Sequence, residues 1–189
     1  WQMVEKYLTQ VDSLVRNLLS YSRQPEARMV SVDPAALLDE VASLYRTQAE
    51  LHDVDLVVRH EPGTPLTLTL DRGGIHATLA NLLANGIDAC RFDPAVGKAH
   101  RVDARVGPGP DGGCAYEVVD NGTGIAPEVQ DRVLTSSFTT KGLRGTGLGL
   151  LLARKSVEEH GGTISFSTRV GAGTTFRVTI PGQAPVERP

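Results

Sequence analysis

The chain has 189 residues, enough for one domain with a proper core and an appendage. At 40% hydrophobic and 22% charged it is an ordinary soluble globular sequence, neither disordered nor membrane-embedded in composition. A net charge of −3 gives no electrostatic reason to expect nucleic acid or an anionic membrane as a partner.

The elements follow in chain order. In "WQMVEKYLTQVDSLVRNLLSYSR", Val4, Leu8, Val11, Val15 and Leu18 alternate spacings of four and three, the seam of a coiled coil or helical bundle. Leu14 and Leu19 widen that face and favour a bundle, although a helix packed on its own domain is the plainer reading. The polar "SRQPEAR" then breaks the chain as a linker. "RMVSVD" predicts a short strand, and Asp33 caps a helix with Pro34 at its first position, "PAALLDEVASLYRTQAELH". "VDLVVRHE" and "LTLTLD" predict strands separated by the turn "PGTP". Asp71 caps the next helix, which holds "LANLLANGIDAC".

"RVDARVG" and "CAYEVVD" predict paired strands around the loop "PGPDGG". A glycine-punctuated region from Asn121 to Gly149 is mostly irregular, with a short helix at "APEVQDRVL"; a loop this long in a compact domain is usually functional, often a lid. The helix "LGLLLARKSVEEH" ends at the Gly161-Gly162 cap, and "TISFSTR" and "TTFRVTI" close the domain as strands before a Pro-rich tail. There are no internal repeats. The expected class is α+β: a two-layer α/β sandwich whose mixed, mostly antiparallel sheet is covered by helices on one face, preceded by the bundle helix.

Cys90 and Cys114 lack metal-ligand spacing and read as buried reduced thiols, as in a cytoplasmic protein. No apolar run approaches the roughly 18 residues that span a bilayer. Opening at Trp1 inside a helical pattern, the chain reads as part of something longer, with any membrane segment upstream.

Four features carry chemistry. On the helix after Asp71, Asn81, Asn85 and Asp88 fall at i, i+4 and i+7, a polar stripe weakened further by Gly86. Two amide oxygens one turn apart suit Mg²⁺ that keeps most of its waters and takes its charge from phosphates, yet such pairs also occur on plain solvated faces. "VVDNGTGI" ends a strand in Asp120, and Gly122 and Gly124 let the backbone pass close to a flat ligand; a turn built from Asp-Asn-Gly explains the same letters. "RGTGLGL" opens a helix with three alternate glycines, and helix N-termini present N–H groups to phosphate. That spacing is neither the dinucleotide fingerprint nor the P-loop. "GAGTTFRV" is, alone, only a hairpin signal.

Taken in order with "SSFTTK", these boxes resemble the ATP-binding domain of sensor histidine kinases, within the superfamily shared with gyrase, Hsp90 and MutL. The resemblance covers roughly residues 30 to 181 and implies ATP and Mg²⁺ as cofactors. It implies Asn85 as the Mg²⁺ ligand and Asn81 as its helper at the triphosphate, Asp120 as the adenine reader, and Gly122 and Gly124 as the pocket wall. Phe138 matches the anchor of the ATP lid. Gly145, Thr146, Gly147, Leu148 and Gly149 match the glycine box beside the phosphates, and Thr174 matches the last box near the base. Lys141 and Arg144 lie in the lid, and the resemblance implies for them neutralisation of phosphate charge as it develops, a catalytic part shared with Asn81, although a solvated lysine is the plainer reading of Lys141. Gly86 fits either room for the nucleotide or a close helix–sheet contact, and Asp88 reads as solvated.

Hydrolysing members of the superfamily resemble one another in placing a glutamate base where this chain has Asn81, which takes no proton at neutral pH. Transfer to an imidazole nucleophile supplied elsewhere suits that change. None of His52, His60, His76, His100 and His160 sits in the His-Glu setting of a phosphoacceptor helix. His60-Glu61-Pro62 ends a strand, His160 caps a helix whose dipole favours a cation, and His76 and the others read as surface residues.

The resemblance therefore implies the following layout. Residues 1–23 are the second helix of the dimerisation hairpin, and residues 24–32 are the linker and first strand. Residues 33–182 are the ATP-binding catalytic domain, and residues 183–189 are a tail. It implies a homodimer through the hairpin, a response-regulator receiver domain as partner, and no nucleic-acid or membrane contact within this chain. "FTTK" resembles the lid box of nitrogen-regulation-type sensor kinases. The rival readings are an ATP-hydrolysing clamp of the gyrase, Hsp90 or MutL kind, and a non-enzymatic dimeric module with a decayed pocket.

Overall fold

The computed structural model describes residues 28–135 and 147–182. The leading helix, most of the lid and the tail lie outside those residues. Strand β1 (Met29–Val32) leads to helix α1 (Pro34–Glu50), where Asp33 accepts from the N–H groups of Ala35 (2.8 Å) and Ala36 (3.1 Å). Then come β2 (Val54–His60), β3 (Leu68–Asp71) and α2 (Arg72–Arg91). Asp71 caps α2 through the N–H groups of Gly73 and Gly74, both at 3.2 Å. Next are β4 (His100–Pro108), β5 (Cys114–Asp120), the one-turn helix α3 (Pro127–Gln130), α4 (Gly149–Glu159), β6 (Thr163–Arg169) and β7 (Gly173–Ile180). The helix expected over 126–134 keeps only that single turn, with loose turns after it.

A five-stranded sheet runs β2-β4-β5-β7-β6. The β2–β4 pair is parallel and the others antiparallel. Strands β2 and β3, neighbours in sequence, do not pair; β3 joins β1 in a separate two-stranded ribbon. Helices α1, α2 and α4 cover one face. Period-two alternation puts Val102, Ala104 and Val106 of β4 against Leu79, Leu82, Leu83 and Ile87 of α2 in one core. Truncating a side chain such as Leu79 there costs about 2–5 kcal/mol. The Tyr116 hydroxyl donates to the carbonyl of Pro34 at 3.2 Å, tying the sheet to the start of α1.

The opposite face is polar. Asp103 accepts from Arg59 (3.2 Å), Arg101 (3.2 Å) and Arg105 (2.8 Å), and Arg177 pairs with Glu117 at 2.8 Å. No helix among the described residues is long and apolar enough to cross a membrane.

His160 departs from its expected role as a charged cap. It is buried, its Nε2 accepts from the N–H of Asp71 at 2.8 Å, and its Nδ1 lies 2.6 Å from the carbonyl of Ser156. Only a neutral ring protonated at Nδ1 satisfies both partners. The residue joins the end of α4 to the start of α2. His100 is likewise not a plain surface residue, because its Nδ1 is buried and has no hydrogen-bond partner.

Candidate nucleotide-binding site

The C-terminal end of β5 is the centre of the site. Register places Asp120 between Val102 of β4 and Thr174 of β7, and the side chain is only 6% exposed. Among the described residues its hydrogen bonds both fall on Oδ1, from the N–H of Gly122 (2.9 Å) and of Thr174 (3.3 Å). Burial pushes the carboxyl up to about 6, against the opposing pull of those N–H groups and of Lys98. A desolvated carboxylate at a strand end, with one oxygen fixed, is suited to accept a hydrogen bond from a ligand amine on the other.

The glycine turn after Asp120 is shaped by neighbours on two sides. A Cβ on Gly122 would run into the Ala89 carbonyl of α2, and Gly124 has φ +70, a conformation that favours glycine. The Thr123 N–H bonds Ala89 at 3.1 Å, and the Gly171 N–H bonds Thr123 at 2.8 Å. The turn is thus clasped between α2 and the β6–β7 hairpin.

Gly86 resolves one ambiguity in favour of packing. A Cβ there would meet Val102 at 3.3 Å and the Asp120 Cβ at 3.5 Å, so the helix rides close to the sheet directly over the carboxylate. Asp88 is half-buried rather than solvated and lies near Tyr45 of α1, whose hydroxyl is raised by burial first and by Asp88 second.

Asn81 and Asn85 are half-buried on α2. The Asn81 Nδ2 donates to the Ala77 carbonyl at 3.0 Å, which turns Oδ1 toward α4; a Cβ on Gly149 would come within 2.5 Å of that oxygen. Gly147, with φ +66, and Leu148 lead into α4, and Leu148 at the N-cap has no side-chain oxygen to offer the first-turn N–H groups. The asparagine stripe and the last glycine of "RGTGLGL" therefore touch. Phe138, Lys141, Arg144, Gly145 and Thr146 lie outside the described residues.

Among the described residues no group of three or more His, Cys, Asp and Glu is placed to hold a metal. Neutral amide oxygens on α2 fit Mg²⁺ that draws its charge from bound phosphate. Both cysteines are buried and free; burial raises Cys90 to about 11 and Cys114 to about 12, which makes them inert. An open cleft of about 330 Å³ lies elsewhere, between Leu134 and the Leu152–Lys155 side of α4, and no candidate site residue lines it.

Two residues of the site were not singled out from sequence. Asn121 extends the ladder with its side chain, Oδ1 accepting from Arg101 at 2.9 Å and Nδ2 donating to Ala99 at 2.8 Å. Thr168 of β6 accepts from the Ile125 N–H at 2.9 Å and lies 3.0 Å from the Thr174 hydroxyl. The signal for Thr168 was present: it continues the inward phase of Ile164 and Phe166.

The model of the histidine kinase-, DNA gyrase B- and HSP90-like ATPase family matches residues 70–184. The chain belongs to that family. Among curated relatives, the C4-dicarboxylate transport sensor protein DctS of Rhodobacter capsulatus is 32% identical over 169 residues, 89% of this chain and 25% of DctS. The chain thus spans about a quarter of that relative's length. The crystallised catalytic domain of histidine kinase ThkA is 26% identical with a TM-score of 0.67, covering 82% of this chain and 96% of that one. ThkA in complex with response regulator TrrA aligns at 24% identity and TM-score 0.76, over 98% of this chain and 51% of that one. Full-length ShkA in complex with AMPPNP gives 24% and 0.76, over 92% of this chain and 36% of that one. The last two likenesses establish the shared fold.

Proposed function

We propose that this chain is the kinase domain of a sensor histidine kinase, which transfers the γ-phosphate of Mg-ATP to a histidine on a helix beyond this chain, for relay to a response-regulator aspartate. The observation that carries the reading is Asp120: buried, one oxygen fixed by two backbone N–H groups, and directly beneath the helix that bears Asn81 and Asn85. The free oxygen accepts from the adenine amine. Gly122 and Gly124 shape the wall beside the base, and Thr174 completes that end.

The amides of Asn81 and Asn85 face the triphosphate, with Asn85 as the ligand of Mg²⁺. When bound, that ion would neutralise phosphate charge. Gly145, Thr146, Gly147, Leu148 and Gly149 offer main-chain N–H groups to the phosphates. Phe138 anchors the lid, and Lys141 and Arg144 stabilise charge on the transferring group. Asn81 provides no base for water, which favours the imidazole of a partner helix as nucleophile.

In this reading residues 1–23 are the second helix of the dimerisation hairpin, 24–32 the linker and first strand, 33–182 the catalytic domain and 183–189 a tail. The protein dimerises through that hairpin, works in the cytoplasm and engages a receiver domain; the solved complex of ThkA with the response regulator TrrA supports that last part. The test is γ-labelled ATP supplied to the longer protein. Acid-labile label on a histidine, lost in Asn85→Ala, is the expected result, with this chain alone binding ATP but staying unlabelled. Steady ATP hydrolysis abolished by Asn81→Ala would replace the kinase with a hydrolase. Failure to bind ATP analogues at millimolar concentration would leave an interaction module.

A further inference from the structure

Thr168 holds the last inward-facing place of β6 and sets a hydroxyl where Ile164 and Phe166 set apolar groups. Its Oγ1 has three partners: the Ile125 N–H at 2.9 Å, the Gly173 carbonyl at 3.0 Å and the Thr174 hydroxyl at 3.0 Å. A hydroxyl has one proton and two lone pairs. The Gly173 carbonyl only accepts, so the proton goes there. The Ile125 N–H takes one lone pair, and the other must receive the Thr174 proton. The Thr174 hydroxyl is thereby committed as a donor toward Thr168 and presents only lone pairs elsewhere. The same Thr174 gives its backbone N–H to Asp120 Oδ1.

We propose that Thr168 is a positioning residue that fixes the Thr174 hydroxyl as an acceptor toward the purine, and so selects a 6-amino over a 6-oxo base. The proposal rests on the reading of the Asp120 end as the adenine site. The Asp120 carboxylate and the committed hydroxyl are two acceptors, matching an exocyclic amine with its two hydrogens. A 6-oxo purine brings an oxygen to face them, and a polar group met by the same polarity costs affinity. Without the Thr168 oxygen, the Thr174 hydroxyl turns and donates to the 6-oxo group.

The experiment measures dissociation constants of ATP and inosine triphosphate, which share the triphosphate and differ at this edge. The wild-type chain is expected to prefer ATP on the order of 100-fold. Thr168→Val, isosteric but without the hydroxyl, is expected to bring the preference below about 10-fold, and Thr168→Ser to restore it. A packing role would weaken both nucleotides alike, so an unchanged ratio in Thr168→Val, with ATP still bound, overturns the proposal alone. Loss of preference in Thr168→Ser also overturns it. No ATP binding by the wild type overturns the nucleotide-site reading itself. Should Thr168→Val fail to fold, proton NMR of the wild type with AMPPNP decides. A Thr174 hydroxyl proton in contact with Thr168 supports the proposal, and one in contact with the purine overturns it.

Discussion

The Oδ1 of Asn81 lies where a side chain on Gly149 would begin, 2.5 Å from an added Cβ, while its amide nitrogen is tied back to Ala77. Gly149→Ala therefore has to displace the asparagine. The expected result is roughly a tenfold loss of ATP affinity with folding retained. Because the effect acts through Asn81, adding Gly149→Ala to Asn81→Ala should cost little more, and a double-mutant cycle by titration calorimetry measures that coupling. Full additivity would mean the two residues act separately.

The pH dependence of Asp120 has two opposite signs. Ionised, the carboxylate accepts an amine; protonated, its free oxygen no longer does so well, so ATP affinity is expected to fall as pH drops through about 6. For folding, a carboxyl raised above its ordinary 3.8 contributes stability that is present below 3.8 and lost as pH rises through about 6. Asp120→Asn should then bind ATP weakly at every pH yet gain on wild type above pH 6, by up to about 3 kcal/mol. Denaturant melts of the two proteins across pH check this.

Ser156 is expected to be a site of easy stabilisation. Its buried hydroxyl has no hydrogen-bond partner and lies where a side chain on Gly74 of α2 would begin. Ser156→Ala removes an unsatisfied polar atom and improves helix propensity, for about 1 kcal/mol and a rise of roughly 2–4 °C in Tm. ATP affinity should stay unchanged.

His160→Ala should do the reverse. It strips the acceptor from the Asp71 N–H and opens a cavity between α4 and α2, costing about 2–4 kcal/mol. Thermal melts read that loss.

Much of this was legible in the residues themselves. Asp33 and Asp71 marked helix starts because capping is local chemistry, and the inward phase of β4, β5 and β7 followed from period-two alternation. The pairing of β1 with β3, instead of β2 with β3, was not legible, since it is decided by where α2 must lie on the sheet. The neutral bridge at His160 depends on a backbone N–H far away in sequence, which no local pattern announces. At the site, Asp120, Asn81 and Gly149 were named from motif letters, whereas Thr168 was passed over as one more threonine in a strand.

The most direct test is a structure of the chain with AMPPNP and Mg²⁺. The account predicts the adenine amine on the free oxygen of Asp120 and the phosphates between Asn85 and the start of α4. A nucleotide bound elsewhere, with Asp120 contacting only Gly122 and Thr174, would contradict it.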